Sequence, residues 1–375
     1  MAEVHGFVQD KFAGVRAAFE SNFDNGADIG ASVCVTLNGE TVVDLWGGHA
    51  DAARTRPWAK DTIVNVYSTT KTMTALVALM LADRGELDFD APVAKYWPEF
   101  AANGKASVKV SHLMSHSAGL SGWTEKLAKQ DFYDWEKCTA LLAAQAPLWE
   151  PGTAPGYHAL TQGYLVGEVI RRISGRTVGF VFREEIATPL GADFHIGLPA
   201  SEDGRVAELI PPEQRLDSGQ QTQIQKVTLG NPGIDVSETR TRAWRGAEIP
   251  AAGGTGNARS VAQIHAMLAN GGVAMGRRFL SEAGCRRALE LQIEGRDLVL
   301  AVPVRYGMGF GLPGEMFPWP HANAMFWGGY GGSLAIVDFE ARATFAYAMN
   351  RMVGTTTGDA RGGALAMAAF MAMRG

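Results

Sequence analysis

The chain has 375 residues, of which 46% are hydrophobic and 19% charged, as expected of a globular protein that buries a large core. Its net charge of −5 argues against functions that need a basic surface, such as binding nucleic acid or acidic lipid. The longest apolar run, residues 75–82, is too short to cross a membrane. The N-terminal segment lacks the apolar core of a signal peptide, so we expect a cytoplasmic protein.

The first third of the chain predicts a helix, a hairpin and a second helix. Apolar residues recur at helical spacing near the N-terminus and predict an amphipathic helix over about 1–23; they are Val8, Phe12, Val15 and Phe19. Two β-branched runs flank Asn38-Gly39, which is a strong signal for a β-hairpin. A helix is predicted from Thr70 to Arg84, closed by Gly85.

The rest of the chain predicts helices first and strands afterwards. Helices are expected near 133–146, 160–174, 258–270 and 360–373, and strands at 304–312, 324–329, 333–340 and 343–350. The polar stretch 201–250 predicts long loops that overhang a cleft and shape a substrate pocket.

Strands at both ends of the chain predict an α+β fold with one antiparallel sheet. Residues 1–70 and 250–375 would build the sheet domain, and residues 71–249 a mostly helical subdomain inserted into it. We expect the active site in the groove between these two parts.

Ser68 and Lys71 are the sharpest chemical feature of the sequence. They lie three residues apart at the start of a predicted helix and therefore share one face. Serine needs a neighbouring base to become a nucleophile, and a buried lysine can be that base because burial favours its neutral form. The helix N-terminus also offers the Ser68 N–H to an oxyanion.

Four segments, in the same order, resemble the serine β-lactamases, the penicillin-binding proteins and above all the family VIII carboxylesterases. VNVYSTTKTMTALVALML resembles the helix that carries the nucleophile, and VSHLMSHSAGLSGW resembles the family's LLxHTSGL segment. PGTAPGYHALTQGYL places Tyr157 at the family's tyrosine position, and AMFWGGYGGS falls where a KTG strand is expected. The resemblance implies a β-lactamase/DD-peptidase-like fold with Ser68, Lys71 and Tyr157 as catalytic residues.

The resemblance also assigns residues around the nucleophile, and two departures from the family pattern bear on the substrate. Trp327, Gly328 and Gly329 would bind substrate, and the Tyr330 N–H would be the second oxyanion donor beside that of Ser68. Trp327 replaces the lysine that meets a substrate carboxylate, and Ala159 replaces the asparagine of the Tyr-x-Asn motif, so an uncharged ester is favoured over a penicillin.

Two questions at this site stay open in the sequence. Either Lys71 or Tyr157 can be the general base, because an adjacent ammonium is expected to lower the pKa of the Tyr157 phenol. His158 is a candidate for substrate binding, but its ring can equally point away from the cleft.

Other chemistries fit the sequence less well. His112 and His116 have the spacing of metal ligands on a helix, but they lack the glutamate of HExxH and a third ligand, so no metal is predicted. Cys34, Cys138 and Cys285 are odd in number and far apart, which predicts buried thiols. No GxSxG motif is present.

We therefore expect a serine carboxylesterase that hydrolyses small or short-chain uncharged esters through an acyl-enzyme on Ser68. No cofactor, nucleic acid or membrane partner is expected, and the sequence leaves the oligomeric state open. Acyl transfer to an alcohol is a close variant, and weak β-lactam hydrolysis fits as well. The alternatives are a β-lactamase or D-amino-acid-specific peptidase or amidase and, from another class, a non-catalytic ligand-binding module.

Overall fold

The computed structural model describes residues 3–213 and 221–374, and its largest element is a six-stranded sheet. The strands lie in the order β1-β3-β2-β13-β12-β11, and every neighbouring pair is antiparallel. Their bounds are β1 Val4–Val8, β2 Gly30–Leu37, β3 Glu40–Gly48, β11 Ala324–Gly328, β12 Leu334–Asp338 and β13 Ala343–Met349. Both ends of the chain thus contribute strands to one sheet.

The described residues also contain seven short strands, in one three-stranded and two two-stranded sheets, and twelve α-helices. The short strands are β4 Val64–Asn65, β5 Phe194–His195, β6 Thr255–Gly256, β7 Val273–Ala274, β8 Arg277–Arg278, β9 Ile293–Arg296 and β10 Pro303–Tyr306. The helices are α1 Ala13–Asp24, α2 Thr70–Asp83, α3 Val110–Met114, α4 Trp135–Ala144, α5 Thr161–Ser174, α6 Val178–Phe182, α7 Thr188–Leu190, α8 Gln223–Gly230, α9 Arg242–Gly246, α10 Ala258–Ala269, α11 Glu282–Arg286 and α12 Ala360–Arg374. Eight of these helices, α2 to α9, and only one short strand, β5, lie within the described residues of 70–249; the division into two domains stays a prediction.

Helix α2 lies in the core and carries the predicted nucleophile at its N-terminal end. Its residues from Thr70 to Leu81 are all buried, so the helix is enclosed on every side rather than amphipathic. It contacts α5, α6 and α11, and Gly85 ends it at a φ of +76°, as predicted. The predicted hairpin at Asn38-Gly39 is also confirmed, with both residues at positive φ.

The predicted N-terminal helix is partly wrong. Residues Val4–Val8 form an edge strand paired with β3, and the α-helix begins only at Ala13. Gly6, at a φ of +107°, lies so close to the Asp44 carbonyl that only glycine fits, and this pairing overrides the helical spacing. The C-terminal part of the predicted pattern holds, since Phe12, Val15 and Phe19 are fully buried.

Two other predicted elements also need correction. The stretch 201–250 contains α8 and α9 instead of continuous loop, and residues 214–220 lie outside the described residues. The predicted strand 304–312 extends only to Tyr306, because the chain turns at Gly309 with a φ of +87°. All three cysteines are free and buried, as predicted.

Within 3–213 and 221–374, no helix is long and apolar enough to span a bilayer. The cytoplasmic location stays a prediction.

Candidate active site

Ser68 lies at the junction of a 3₁₀ turn, Tyr67–Thr69, and helix α2, with 8% of its surface exposed. Tyr67 has a φ of +44°, a strained conformation that persists only where its surroundings hold it. Thr70 supplies part of that hold, because its hydroxyl donates to the Tyr67 carbonyl (2.5 Å) and accepts from the Gly254 N–H (2.8 Å). The serine is therefore presented on a turn that is fixed from both sides.

Lys71 is fully buried, and its amine contacts three oxygens. Nζ lies 3.1 Å from Ser68 Oγ, 2.7 Å from the Ala159 carbonyl and 2.9 Å from the Ala251 carbonyl. Burial holds the pKa of Lys71 well below its usual range, which favours the neutral amine. A neutral amine has two N–H groups and one lone pair. Because the two carbonyls can only accept, the lone pair is directed at Ser68 Oγ.

The Tyr157 hydroxyl donates to Ser68 Oγ at 2.5 Å, so the serine oxygen is contacted by both the amine and the phenol. The prediction that Lys71 lowers the pKa of Tyr157 is wrong. Burial raises that pKa, with the Asp297 carboxylate adding to it, and hydrogen bonds to Ser68 and the Trp327 indole offset only part of the rise. At neutral pH the phenol is therefore a proton donor.

The glycine pair after Trp327 brings strand β11 against the turn that carries Ser68. The Gly329 N–H donates to the Ser333 carbonyl (2.8 Å), and the Ser333 hydroxyl donates to the Val66 carbonyl (2.8 Å). A Cβ atom on Gly329 would lie only 2.1 Å from that Val66 oxygen, so no larger residue fits. The next residue, Tyr330, is thereby placed beside Tyr67, with ring centroids 5.5 Å apart.

His116 is buried among the rings behind the site. It stacks on Trp327 at 5.3 Å and lies 5.1 Å from both Tyr157 and Tyr306. Its Nδ1 accepts the His158 N–H (3.1 Å), and burial holds its pKa well below the usual value, so the ring is neutral. Among the described residues, no group of three or more His, Cys, Asp or Glu is arranged to hold a metal ion.

His158 does not line the cleft, which corrects its candidacy for substrate binding. The ring is fully buried; Nε2 accepts the Leu120 N–H (3.0 Å) and Nδ1 lies 2.6 Å from the Gly156 carbonyl. Since Nε2 is an acceptor, the hydrogen-bond network assigns the proton to Nδ1. Burial lowers the pKa of His158 to about 3, so the neutral ring joins two backbone segments.

A cavity of about 450 Å³ adjoins Tyr157 and Trp327. Its wall is mainly apolar and comes from strands β9 to β11 and the segments around them; it includes Leu300, Val302, Val304, Tyr306, Leu312, Met316, Phe326 and Gly328. Glu294 and Arg305 are exposed at its rim and paired at 3.1 Å. No described residue of 201–250 lines this cavity, and residues 214–220 lie outside the described residues, so the pocket-shaping role expected of that stretch stays a prediction. Ile224 of α8 packs against a cluster that includes Tyr157, Tyr306 and Trp327, which line the cavity.

Sequence reasoning missed the residues that hold the site together. Asn65 donates to the Ala252 and Gly254 carbonyls and accepts the Tyr67 N–H, and Ser333 joins β11 to Val66. Asp297 accepts the Tyr157 N–H from a distant part of the sequence. These side chains have no local signature, because their partners become neighbours only on folding.

The sheet, the Ser68 turn and its lysine and tyrosine define a serine hydrolase of the penicillin-recognising class, and sequence comparison agrees. The sequence model of the beta-lactamase family, described as "Beta-lactamase", matches residues 16–369. The chain therefore belongs to the beta-lactamase family. The predicted fold and family resemblance are confirmed.

Individual relatives cover nearly the whole chain. The "Esterase/beta-lactamase LipL" of Mycobacterium tuberculosis is 38% identical over 368 residues, covering 93% of this chain and 83% of that protein. A solved family VIII carboxylesterase superposes with a TM-score of 0.94 at 44% identity, covering 99% of this chain and all of the other. A penicillin-binding protein homologue from Caulobacter crescentus gives the same TM-score and coverage at 40% identity.

Proposed function

We propose that the protein is a serine carboxylesterase that hydrolyses uncharged esters through an acyl-enzyme on Ser68. The observation that carries the proposal is the pair of contacts at Ser68 Oγ, with the Lys71 amine at 3.1 Å and the Tyr157 hydroxyl at 2.5 Å. Together they offer the serine one proton acceptor and one proton donor.

Acylation starts with Lys71 as the base. Its lone pair takes the Ser68 proton while Oγ attacks the ester carbonyl, and the N–H groups of Ser68 and Tyr330 stabilise the oxyanion. When the ester bond breaks, the Tyr157 hydroxyl donates its proton to the leaving alkoxide and the Lys71 ammonium restores the phenol proton. Water then attacks the acyl-enzyme by the reverse route and regenerates Ser68.

The surroundings favour esters over charged substrates. Trp327 is buried where a carboxylate-binding lysine would stand, and Ala159 offers only its backbone to the site. Arg305 at the cavity rim is engaged by Glu294 and the Pro313 carbonyl (2.8 Å). An apolar wall of this kind contributes roughly 25 cal/mol per Å² of apolar substrate surface removed from water.

The size and position of the cavity indicate which part of the ester, acyl or alcohol, it accommodates. At about 450 Å³ it exceeds what an acetyl group needs. Because Tyr157 lines the cavity and donates to the leaving oxygen, the alcohol part of the ester is directed into it. The proposed substrate is thus a short-chain ester of an apolar alcohol.

β-Lactam hydrolysis is the second candidate, favoured by the 38% identity to a relative whose name includes both activities. Lactam opening uses the same serine, oxyanion donors and phenol proton. The missing cation at position 327 weakens recognition of the β-lactam carboxylate, so we expect this activity to be slow.

Steady-state hydrolysis of p-nitrophenyl esters from acetate to decanoate, measured beside nitrocefin, tests the proposal. We expect ester turnover that disappears in Ser68→Ala, with nitrocefin slower by orders of magnitude. Dominant nitrocefin turnover would make the protein a β-lactamase, and activity that survives in Ser68→Ala would exclude the mechanism. A far-UV melting curve confirms that the variant is folded.

A further inference from the structure

Asp297 is a buried carboxylate at the end of strand β9, and it lies outside the residues used so far as catalytic groups. Only 1% of its surface is exposed, and burial raises its pKa above the usual range. Its Oδ1 accepts the N–H groups of Val299 and Leu300 (both 2.8 Å) and of Tyr157 (3.1 Å). These donors favour the ionised carboxylate and offset part of the rise that burial causes.

The contact with Tyr157 joins two parts of the chain that are 140 residues apart. A second hydrogen bond, from the Leu298 N–H to the Pro155 carbonyl (2.9 Å), runs parallel to it. The turn between β9 and β10 is therefore fastened to the segment that ends in Tyr157. The same turn and its strands form one wall of the cavity.

The other carboxylate oxygen binds a second part of the cavity wall. Oδ2 accepts the Tyr306 hydroxyl at 3.1 Å. The Tyr306 ring lines the cavity and lies 5.7 Å from Trp327. One buried carboxylate thus contacts the backbone of Tyr157, the cavity turn and the side chain of Tyr306.

We propose that Asp297 is a positioning residue that ties the wall of the substrate cavity to Tyr157, so that bound substrate and the phenol keep a fixed relation to Ser68. The inference rests on the proposed function, since it assumes that Tyr157 transfers a proton. Asp297 does not contact Ser68; it acts through the backbone N–H of Tyr157 and through its negative charge.

The negative charge of Asp297 affects the pH dependence of kcat, which a purely structural role would leave unchanged. The titratable groups facing Tyr157 are Lys71, with Nζ 4.9 Å from the ring centroid, His116, Tyr306 and Asp297. His116 is neutral because burial lowers its pKa, and Tyr306 stays protonated because burial raises its pKa. Removing the Asp297 charge lowers the pKa of Tyr157, so the alkaline limb of the pH–kcat profile shifts to lower pH, whereas the acid limb set by Lys71, whose pKa is lowered by burial, stays in place.

The test compares Asp297→Asn with Asp338→Asn as a matched control. Asp338 is also buried, accepts the N–H groups two and three residues ahead (3.0 and 2.9 Å) and bonds an aromatic donor, the Trp319 indole (2.8 Å). It lies at the opposite end of β12 from Leu334, which pairs with Gly328 at the site. Asp338 also pairs with the His321 ring (2.8 Å), so its substitution disturbs a network at least as large, at a greater distance from Ser68.

For Asp297→Asn we expect kcat to fall at least about 10-fold, KM to change less, and the alkaline limb to move to lower pH, whereas Asp338→Asn keeps the wild-type profile. An unshifted profile with wild-type kcat would overturn the inference. If Asp297→Asn does not fold, Tyr306→Phe replaces it, because this variant removes the hydrogen bond to Asp297 and keeps the ring. A smaller fall in kcat is then expected. A wild-type kcat in Tyr306→Phe contradicts the inference.

Tyr157→Phe separates this inference from the proposed function. If Tyr157→Phe keeps full activity, the proton-transfer role of Tyr157 is wrong and the inference falls with it. If Tyr157→Phe is impaired while Asp297→Asn is indistinguishable from wild type, the positioning role of Asp297 alone is wrong.

Discussion

Gly329→Ala is the substitution for which the structure gives the sharpest expected effect. The added Cβ would lie 2.1 Å from the Val66 carbonyl oxygen and 2.3 Å from Ser333 Oγ. Neither atom can retreat easily, because the first belongs to the backbone beside the Ser68 turn and the second is bonded to it. Strand β11 must therefore move away by about 1 Å to reach an ordinary contact distance.

That displacement carries the Tyr330 N–H away from the position that the proposed mechanism assigns to the oxyanion. Loss of one oxyanion donor lowers kcat by about 10² to 10³, or roughly 3 to 4 kcal/mol of transition-state stabilisation. Lys71 and Tyr157 lie outside β11 and stay in place, and only the β11 part of the cavity wall moves, so KM is expected to change less than kcat.

The assay is the kcat and KM of p-nitrophenyl acetate hydrolysis, together with a melting temperature. Gly363→Ala is the control, because a Cβ there has no atom within 4 Å and the site lies on helix α12. We expect the control to keep wild-type kcat. A Gly329→Ala enzyme within about threefold of wild type would refute the close approach of β11 as a requirement for catalysis.

Three further predictions follow from the same contacts. Lys71→Arg is expected to be inactive, because the guanidinium stays protonated and cannot accept the serine proton. In the wild type, the acid limb of the pH–kcat/KM profile lies at the lowered pKa of Lys71, well below the usual value for lysine. An acid limb near pH 10 contradicts this prediction. Val304→Trp is expected to fill the cavity and to lower kcat/KM for acetates of bulky alcohols but not for methyl acetate, measured in a pH-stat assay. Equal losses for both substrates contradict the proposal that the cavity binds the alcohol part of the ester. Burial lowers the pKa values of His116, His158 and His265, so unfolding at pH 5 takes up protons and stability falls as pH drops below about 6.5. His265→Gln is expected to reduce the proton uptake on unfolding, measured by calorimetry in two buffers, by about one proton. An unchanged uptake contradicts this prediction.

The sequence predicted the elements whose signals are local. The turn dipeptide Asn38-Gly39 predicts the hairpin because both residues readily adopt a positive φ, and Gly85 predicts the end of α2. Ser68 and Lys71 share a face because their spacing is helical. Tyr157 came from resemblance alone, since nothing in its own neighbourhood indicates a partner 89 residues away.

The parts that could not be predicted depend on tertiary contacts. Residues Val4–Val8 form a strand because β3 offers an edge, although their spacing also fits a helix. The pKa of Tyr157 rises because burial outweighs its hydrogen bonds to Ser68 and Trp327, a balance that the sequence does not contain. The roles of Asp297 and His158 depend on partners that the fold brings together.

The central claim is that Ser68 is the acylated residue, and intact-protein mass spectrometry tests it most directly. Wild type, Ser68→Ala and Tyr157→Phe are each incubated with a fluorophosphonate probe, and the adduct is mapped by peptide digestion. We predict one adduct per chain on the peptide containing Ser68, none in Ser68→Ala, and slowed labelling in Tyr157→Phe. An adduct that persists in Ser68→Ala, or a folded wild type that takes no label, would contradict the account.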